Sequence, residues 1–221
     1  MRGSVLVTGG AKRIGRTICT ALRARGWNVL VHSREAANPL CADLADVLGP
    51  ARLFQKACDL APDLCAIVNN AAEFSTAATL PAEDAARLMR VNAEAPEKLT
   101  TLLGLRLMEH APFKGAVVNL LDARILPPPS APTPYEASKI ALRDSMVKAA
   151  GLFGSCLRVN AVAPGPVLVP TGTANRETGG EVLLDHRPTP EDVAEAVAFL
   201  LEAKSVTGQV LAVDSGQSIL P

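Results

Sequence analysis

Residues 4–18, SVLVTGGAKRIGRTI, decide the fold. A short apolar β-type run ends at Thr8, Gly9 and Gly10 follow, and an amphipathic segment starts near Ile14 and Gly15. The order is strand, glycine turn, helix. Glycines in such a turn permit a tight bend and close backbone approach, and the helix N-terminus offers unpaired N–H groups to a phosphate. A glycine turn alone also serves packing. At the first strand-to-helix junction of a parallel sheet, dinucleotide binding is the preferred reading.

The rest of the chain supplies that sheet. Further β-type runs lie at 28–32 (NVLVH), 51–55 (ARLFQ), 66–70 (AIVNN), 115–121 (GAVVNLL), 156–163 (CLRVNAVA) and 208–213 (GQVLAV). They are almost continuous in apolar residues, as strands covered on both faces are. Helical patterns fall at 14–25, 41–48, 83–109, 135–150 and 190–203, the last opened by Thr189, Pro190, Glu191 and Asp192 as cap, first helical residue and first-turn acids. Alternation of this kind predicts an α/β doubly wound parallel sheet of Rossmann type, one domain spanning 1–221, with about seven strands. Only ten residues, KACDLAPDLC (56–65), separate the expected third and fourth strands, so the third crossover is predicted to be shortened.

Composition narrows the function. The chain has 221 residues, is 48% hydrophobic and carries no net charge, which argues against nucleic acid or an anionic membrane as partner. No apolar run reaches membrane-spanning length, and the opening MRGSVLVTGG enters a strand at once, so no secretory leader is expected. Five scattered cysteines and three lone histidines make no metal-type pairs; free thiols in a reducing cytoplasm are expected, and no metal site.

The second strand bears on cofactor choice. A ribose-binding carboxylate is expected about 20 residues beyond such glycines. Here the strand ends in His32, Ser33 and Arg34, with Lys12 and Arg13 in the turn. Cations and a hydroxyl favour a 2′-phosphate over a free 2′-hydroxyl, so NADPH is expected; Glu35, next to Arg34, is the counter-argument.

LLDARILPPPSAPTPYEASK (120–139) holds the only tyrosine. Tyr135 and Lys139 are four apart on a predicted helix and so share a face. An ammonium beside a phenol is expected to lower the phenol's pKa towards a useful acid–base range.

Taken together, these residues resemble the short-chain dehydrogenase/reductase family. The resemblance runs through TGGAKRIG (8–15), CDL (58–60), NNAA (69–72), VNAEAP (91–96), Tyr135 with Lys139, RVNAVAPGPV (158–167) and TGQVLAVDSGQS (207–218). It implies Tyr135 as proton donor, Lys139 as ribose ligand and tuner of Tyr135, and Asn92 as support for a proton-relay water. It implies cofactor contacts at Gly9, Arg13, Ile14 and Gly15, and at His32, Ser33 and Arg34. Asp59 with Leu60 is implied near the adenine, and Asn70 with Ala71 near a ribose. Pro164, Gly165 and Val167 are implied near the carboxamide.

One departure points to substrate. Where most members carry a serine thirteen residues before the tyrosine, this chain has Asp122. An ionised carboxylate cannot donate to a ketone oxygen and repels the alkoxide that forms there. It suits a ring C=N, whose nitrogen must gain a proton. Asp122, Arg13 in place of a second glycine, and Phe74 together resemble the pteridine reductase and dihydromonapterin reductase branch. That branch implies Arg13 and Phe74 as substrate contacts beside Asp122 and Tyr135. The alternatives stay open: Phe74 as a core residue, Asp122 as the mark of altered activity, a reductase of ordinary carbonyls, or a non-catalytic NADP-binding regulator. A short lid at 170–181 (PTGTANRETGGE) is expected over the substrate. Pairing into a homodimer or tetramer is expected through the helices at 83–109 and 135–150, whose apolar residues include Leu102, Leu103, Leu142 and Met146, a pattern that core burial alone also explains.

Overall fold

The computed structural model describes residues 2–109, 114–167 and 181–220; the predicted lid falls almost wholly outside them. Among those residues the strands are β1 (Ser4–Val7), β2 (Asn28–Val31), β3 (Leu64–Asn69), β4 (Gly115–Leu120), β5 (Leu157–Pro164) and β6 (Val210–Val213). The helices are α1 (Arg13–Ala24), α2 (Gly49–Leu60), α3 (Ala82–Met89), α4 (Ala95–Glu109), α5 (Pro134–Leu152) and α6 (Pro190–Glu202). All strand pairs are parallel, in the order β2-β1-β3-β4-β5-β6.

Side-chain alternation along the strands splits the core in two. Val5, Val7, Ala66 and Val68 face α1 and α6, meeting Ile18, Leu22, Val193 and Val197. Leu6 and Ile67 point the other way, to Leu53 of α2, Leu99 and Leu103 of α4, and Leu142 and Met146 of α5. Two covered faces explain why the strand runs read as unbroken apolar stretches. The strand order reverses at β1, with β2 on one side and β3 on the other, and a crevice opens there at the carboxyl ends.

Three sequence expectations need correction. The run 51–55 is not a strand but the middle of α2, so six strands rather than seven are seen among the described residues. Pro50 sits at the start of α2, and Leu53, Phe54, Ala57 and Cys58 are buried along one side of it, a helical spacing. The crossover from β2 to β3 is therefore an ordinary helix, and the shortened crossover expected at 56–65 does not exist. Residues 41–48 are not helical but a series of turns, entered by a single parallel bridge between Ser33 and Cys41. Finally, Leu103, Leu142 and Met146 belong to the core rather than to an outer face. The exposed apolar residues on α4 and α5 are Leu105, Met108, Val147 and Leu152.

The helix predicted over 83–109 is interrupted by a π-helical segment, Arg90–Glu94, that carries Asn92. Such insertions mark functional positions often enough to draw the eye. Helices α5 and α6 begin as their sequences suggest: Thr133 with Glu136, and Thr189 with Asp192, form reciprocal capping boxes.

Candidate active site

The crevice is a cleft of about 1060 Å³. Its floor is the glycine turn. Gly9 has φ +63, and a Cβ on Gly15 would lie 2.3 Å from the Gly9 carbonyl oxygen, so neither position accepts a side chain without strain. Arg13 also takes a left-handed backbone, φ +51, at the position where the family resemblance expects a second glycine. The Thr8 hydroxyl accepts the backbone N–H groups of Asn70 and Ala71, each at 3.0 Å. The Asn70 amide donates back to the carbonyls of Thr8 and Gly9 at 2.9 and 3.1 Å. These bonds lock the turn after β1 to the turn after β3. The N-cap residue Lys12 makes no side-chain cap bond at the start of α1. The first-turn amides there are those an anion would use.

His32 joins the turn to the next segment. Its Nδ1 accepts the Gly9 N–H at 3.2 Å and its Nε2 lies 3.2 Å from the Ala42 carbonyl, which fixes a neutral ring with the proton on Nε2. The residue is 2% exposed, and burial, reinforced by nearby Arg34, lowers its pKa. Ser33 and Arg34 line the cleft. Two of the three expected cations have acidic company: Lys12 pairs with Glu35 at 2.8 Å and Arg34 with Glu73 at 3.5 Å. Lys12–Glu35 is solvent-exposed and Arg34 is exposed against a half-buried Glu73, so both pairs are weak.

Asp59 and Leu60 do not reach the cleft. They end α2, where Asp59 accepts from Gln55 and Leu60 is 57% exposed. Asp43 and Leu44 line the cleft instead. Residues 41–44, CADL, repeat the Cys–Asp–Leu signature of 58–60 with one alanine inserted, and that was the signal available in the sequence. Arg87 holds Asp43 in place at 3.2 Å and bonds Glu73 at 3.0 Å.

At the other end, Tyr135 Oη donates to Asp122 Oδ2 at 2.9 Å. Asp122 ends the β4 turn and its second oxygen accepts the Arg124 N–H at 2.9 Å, capping a short 3-10 helix. Tyr135 is 6% exposed. Burial first, then the Asp122 charge and hydrogen bond, push its phenol pKa well above 10, opposite to the lowering expected from Lys139. Lys139 Nζ donates to the Leu120 carbonyl at 2.8 Å and lies 5.9 Å from the Tyr135 ring centroid. Burial lowers its pKa to about 8, partly opposed by Asp122. Phe74 meets Tyr135 edge-on, centroids 4.9 Å apart, and Arg124 lies over the Phe74 ring at 5.1 Å.

Asn92 is fully buried behind the cleft wall. Its side chain accepts the Glu73 N–H at 2.8 Å, donates to the Glu73 carbonyl at 2.9 Å, and donates to Ser138 Oγ at 3.0 Å. It thus clamps the segment that presents Phe74 to the helix that presents Tyr135. The remaining predicted contacts, Ile14, Ala71, Pro164, Gly165 and Val167, all line the cleft. Phe74, Glu73, Arg124 and Arg187 line it too, and of these only Phe74 was anticipated.

A glycine turn leading into a helix at a switch point, facing a buried Tyr–Lys pair one helical turn apart, defines a dinucleotide-dependent α/β oxidoreductase. Residues 9–218 match the family model described as enoyl-(acyl carrier protein) reductase, and the chain belongs to the short-chain dehydrogenase/reductase family. It is similar to galactitol 2-dehydrogenase (L-tagatose-forming) of Cereibacter sphaeroides, 30% identical, with 96% of this chain and 94% of the relative covered. It is also similar to pteridine reductase 1 of Leishmania tarentolae, 29% identical, with 97% and 96% covered. Among solved structures, FolM alternative dihydrofolate reductase 1 from Brucella suis in complex with NADP superposes with a TM-score of 0.86 at 28% identity, covering 99% of this chain and 96% of that one.

Proposed function

We propose that this protein is an NADPH-dependent reductase of a C=N bond in a pterin-type ring, a dihydropterin or dihydrofolate. The observation that carries this reading is the Asp122 carboxylate hydrogen-bonded at 2.9 Å to the Tyr135 hydroxyl. The NADP complex of the similar Brucella structure and the similarity to a pteridine reductase support it.

The chain's own residues fit the cofactor. The side-chain-free turn at Gly9 and Gly15 admits a pyrophosphate close to the start of α1. Lys12, Arg13, Ser33 and Arg34 would surround a 2′-phosphate, Asp43 and Leu44 would border the adenine, and Asn70 and Lys139 the riboses. When bound, NADPH supplies the hydride.

The protein's part is the proton. Burial and Asp122 keep the Tyr135 phenol protonated, so it starts as a donor. One proton lies between Tyr135 and Asp122, and a ring nitrogen seated against the pair takes it. Lys139 in its charged form offsets the negative charge left on the pair. Phe74 offers an aromatic face to a flat ring. A ketone is disfavoured because its nascent alkoxide would lie beside the carboxylate.

NADPH oxidation with dihydrobiopterin, dihydrofolate and a panel of simple ketones tests this. Turnover of a pterin substrate and little of the ketones is expected; ketones alone would overturn the reading. A cytoplasmic setting belongs to it, since all five cysteines are free. So does a homodimer or tetramer joined through Leu105, Met108, Val147 and Leu152 of α4 and α5, which light scattering reporting a monomer at micromolar concentration would overturn.

A further inference from the structure

The cleft's cations are not all matched by acids. Lys12 has Glu35 and Arg34 has Glu73, but Arg124, beside Asp122 and Tyr135, makes no ion pair among the described residues. What Arg124 has instead is a fixed seat. Its backbone N–H is held by Asp122 Oδ1 at 2.9 Å, and its guanidinium lies over the Phe74 ring at 5.1 Å from the centroid. Phe74 is itself set by its edge-on contact with Tyr135. The charge is thus anchored through Asp122, a member of the reacting pair, and Phe74, which borders it.

A guanidinium held over a ring by cation–π attraction spends none of its N–H donors on that contact. Those donors form a fork matched to a carboxylate, which it can bind bidentately. The residue is exposed, so the fork stands where the cleft meets solvent. The natural partner is an anion on the part of a substrate that projects out of the cleft.

We propose that Arg124 determines specificity for a carboxylate-bearing tail on the substrate. A flat ring sits against Phe74 beside Asp122 and Tyr135, and its tail carboxylate pairs with Arg124. This rests on the pterin-type reading and narrows it: folate-type substrates with an acidic tail are favoured over pterins with a neutral polyol side chain.

The test compares dihydrofolate with dihydrobiopterin in the wild-type protein, Arg124→Met and Arg124→Lys. The loss in kcat/KM on Arg124→Met should be at least tenfold larger for dihydrofolate and should appear in KM rather than kcat. Arg124→Lys should recover part of it, and raising the salt should weaken dihydrofolate but not dihydrobiopterin. Equal losses for both substrates would overturn the proposal, as would a wild-type protein indifferent to the tail. So would an Arg124→Met defect in NADPH affinity, which would make Arg124 a cofactor ligand. If neither compound is reduced, the pterin reading fails, and calorimetric titration of folate and biopterin onto the NADP+-loaded protein still decides the tail question. Folate must bind at least tenfold more tightly, in an Arg124-dependent way; no binding, or equal binding, rejects it.

Discussion

Tyr135 donates its hydroxyl proton to Asp122 at 2.9 Å, while the other oxygen of that carboxylate caps the Arg124 backbone at 2.9 Å. The carboxylate therefore has a structural bond and a chemical one, on different oxygens. Asp122→Ser keeps a side chain able to cap but removes the charge from the tyrosine. Turnover of a pterin substrate should fall by about 10²–10⁴-fold, with NADPH affinity within about twofold, because the change removes acid–base help rather than binding. Tyr135→Phe should abolish turnover. Steady-state kinetics and cofactor titration check both; full pterin turnover in Asp122→Ser would make the carboxylate incidental.

Lys139 gives the reaction a pH limit. Its pKa, about 8 in the folded protein against 10.5 ordinarily, means the ammonium is present below pH 8 and lost above it. If the charged form steadies the Tyr135–Asp122 pair, kcat/KM should decline as pH rises through about 8. Lys139→Met should be slow throughout and lack that limb. A wild-type profile that stays level well past pH 8 would exclude the role.

Stability should respond to His32 on the acid side. The unfolded chain takes up this proton near pH 6.5, whereas the folded protein does so only at lower pH, because the ring is buried and its Nδ1 accepts the Gly9 N–H. Its contribution is complete above pH 6.5 and is lost as pH falls through the folded value. Thermal melts from about pH 7 down to about pH 5 should show a shallower decline for His32→Asn than for the wild type. At neutral pH, His32→Ala should lose about 1–3 kcal/mol, the usual effect of leaving buried partners unpaired.

Cofactor preference should follow the basic corner. Arg34 is exposed and held by Glu73 only at 3.5 Å, so a phosphate can replace that carboxylate at little expense. Arg34→Ala should lower NADPH affinity about tenfold or more and leave NADH nearly unaffected. Equal wild-type affinity for the two cofactors would show that the corner does not read the phosphate.

Much of this site was legible in the sequence because its residues sit at junctions with strong local signals. Gly9 and Gly15 follow a clear strand, and Tyr135 and Lys139 lie one helical turn apart after a capped start. What misled was a short apolar run. Residues 51–55 contain Leu53 and Phe54 side by side, which fits a strand or a helix equally well over so few positions. Reading them as a strand shifted the adenine-side assignment by one Cys–Asp–Leu motif, from Asp43 and Leu44 to Asp59 and Leu60. Pro50 and the spacing on to Ala57 favoured helix and were the better guide. The Phe74–Arg124 contact could not be read at all, since it joins the β3 and β4 turns fifty residues apart through side-chain packing.

The single bridge between Ser33 and Cys41 has a consequence for motion. Beyond β2, residues 34–48 are tied to the rest of the fold by that bridge, by the His32–Ala42 contact, by the ion pairs of Arg34, Glu35 and Asp43 and by the buried side chains of Leu40 and Leu44, rather than by a ladder of backbone bonds. Segments held by few such ties open at a small fraction of the global unfolding free energy. Backbone amides at 34–48 should therefore exchange with solvent deuterium well before those of β1, β3 and β4. Ligand binding along Asp43 and Leu44 should slow them selectively, so that the adenine side of the cleft is completed by its occupant.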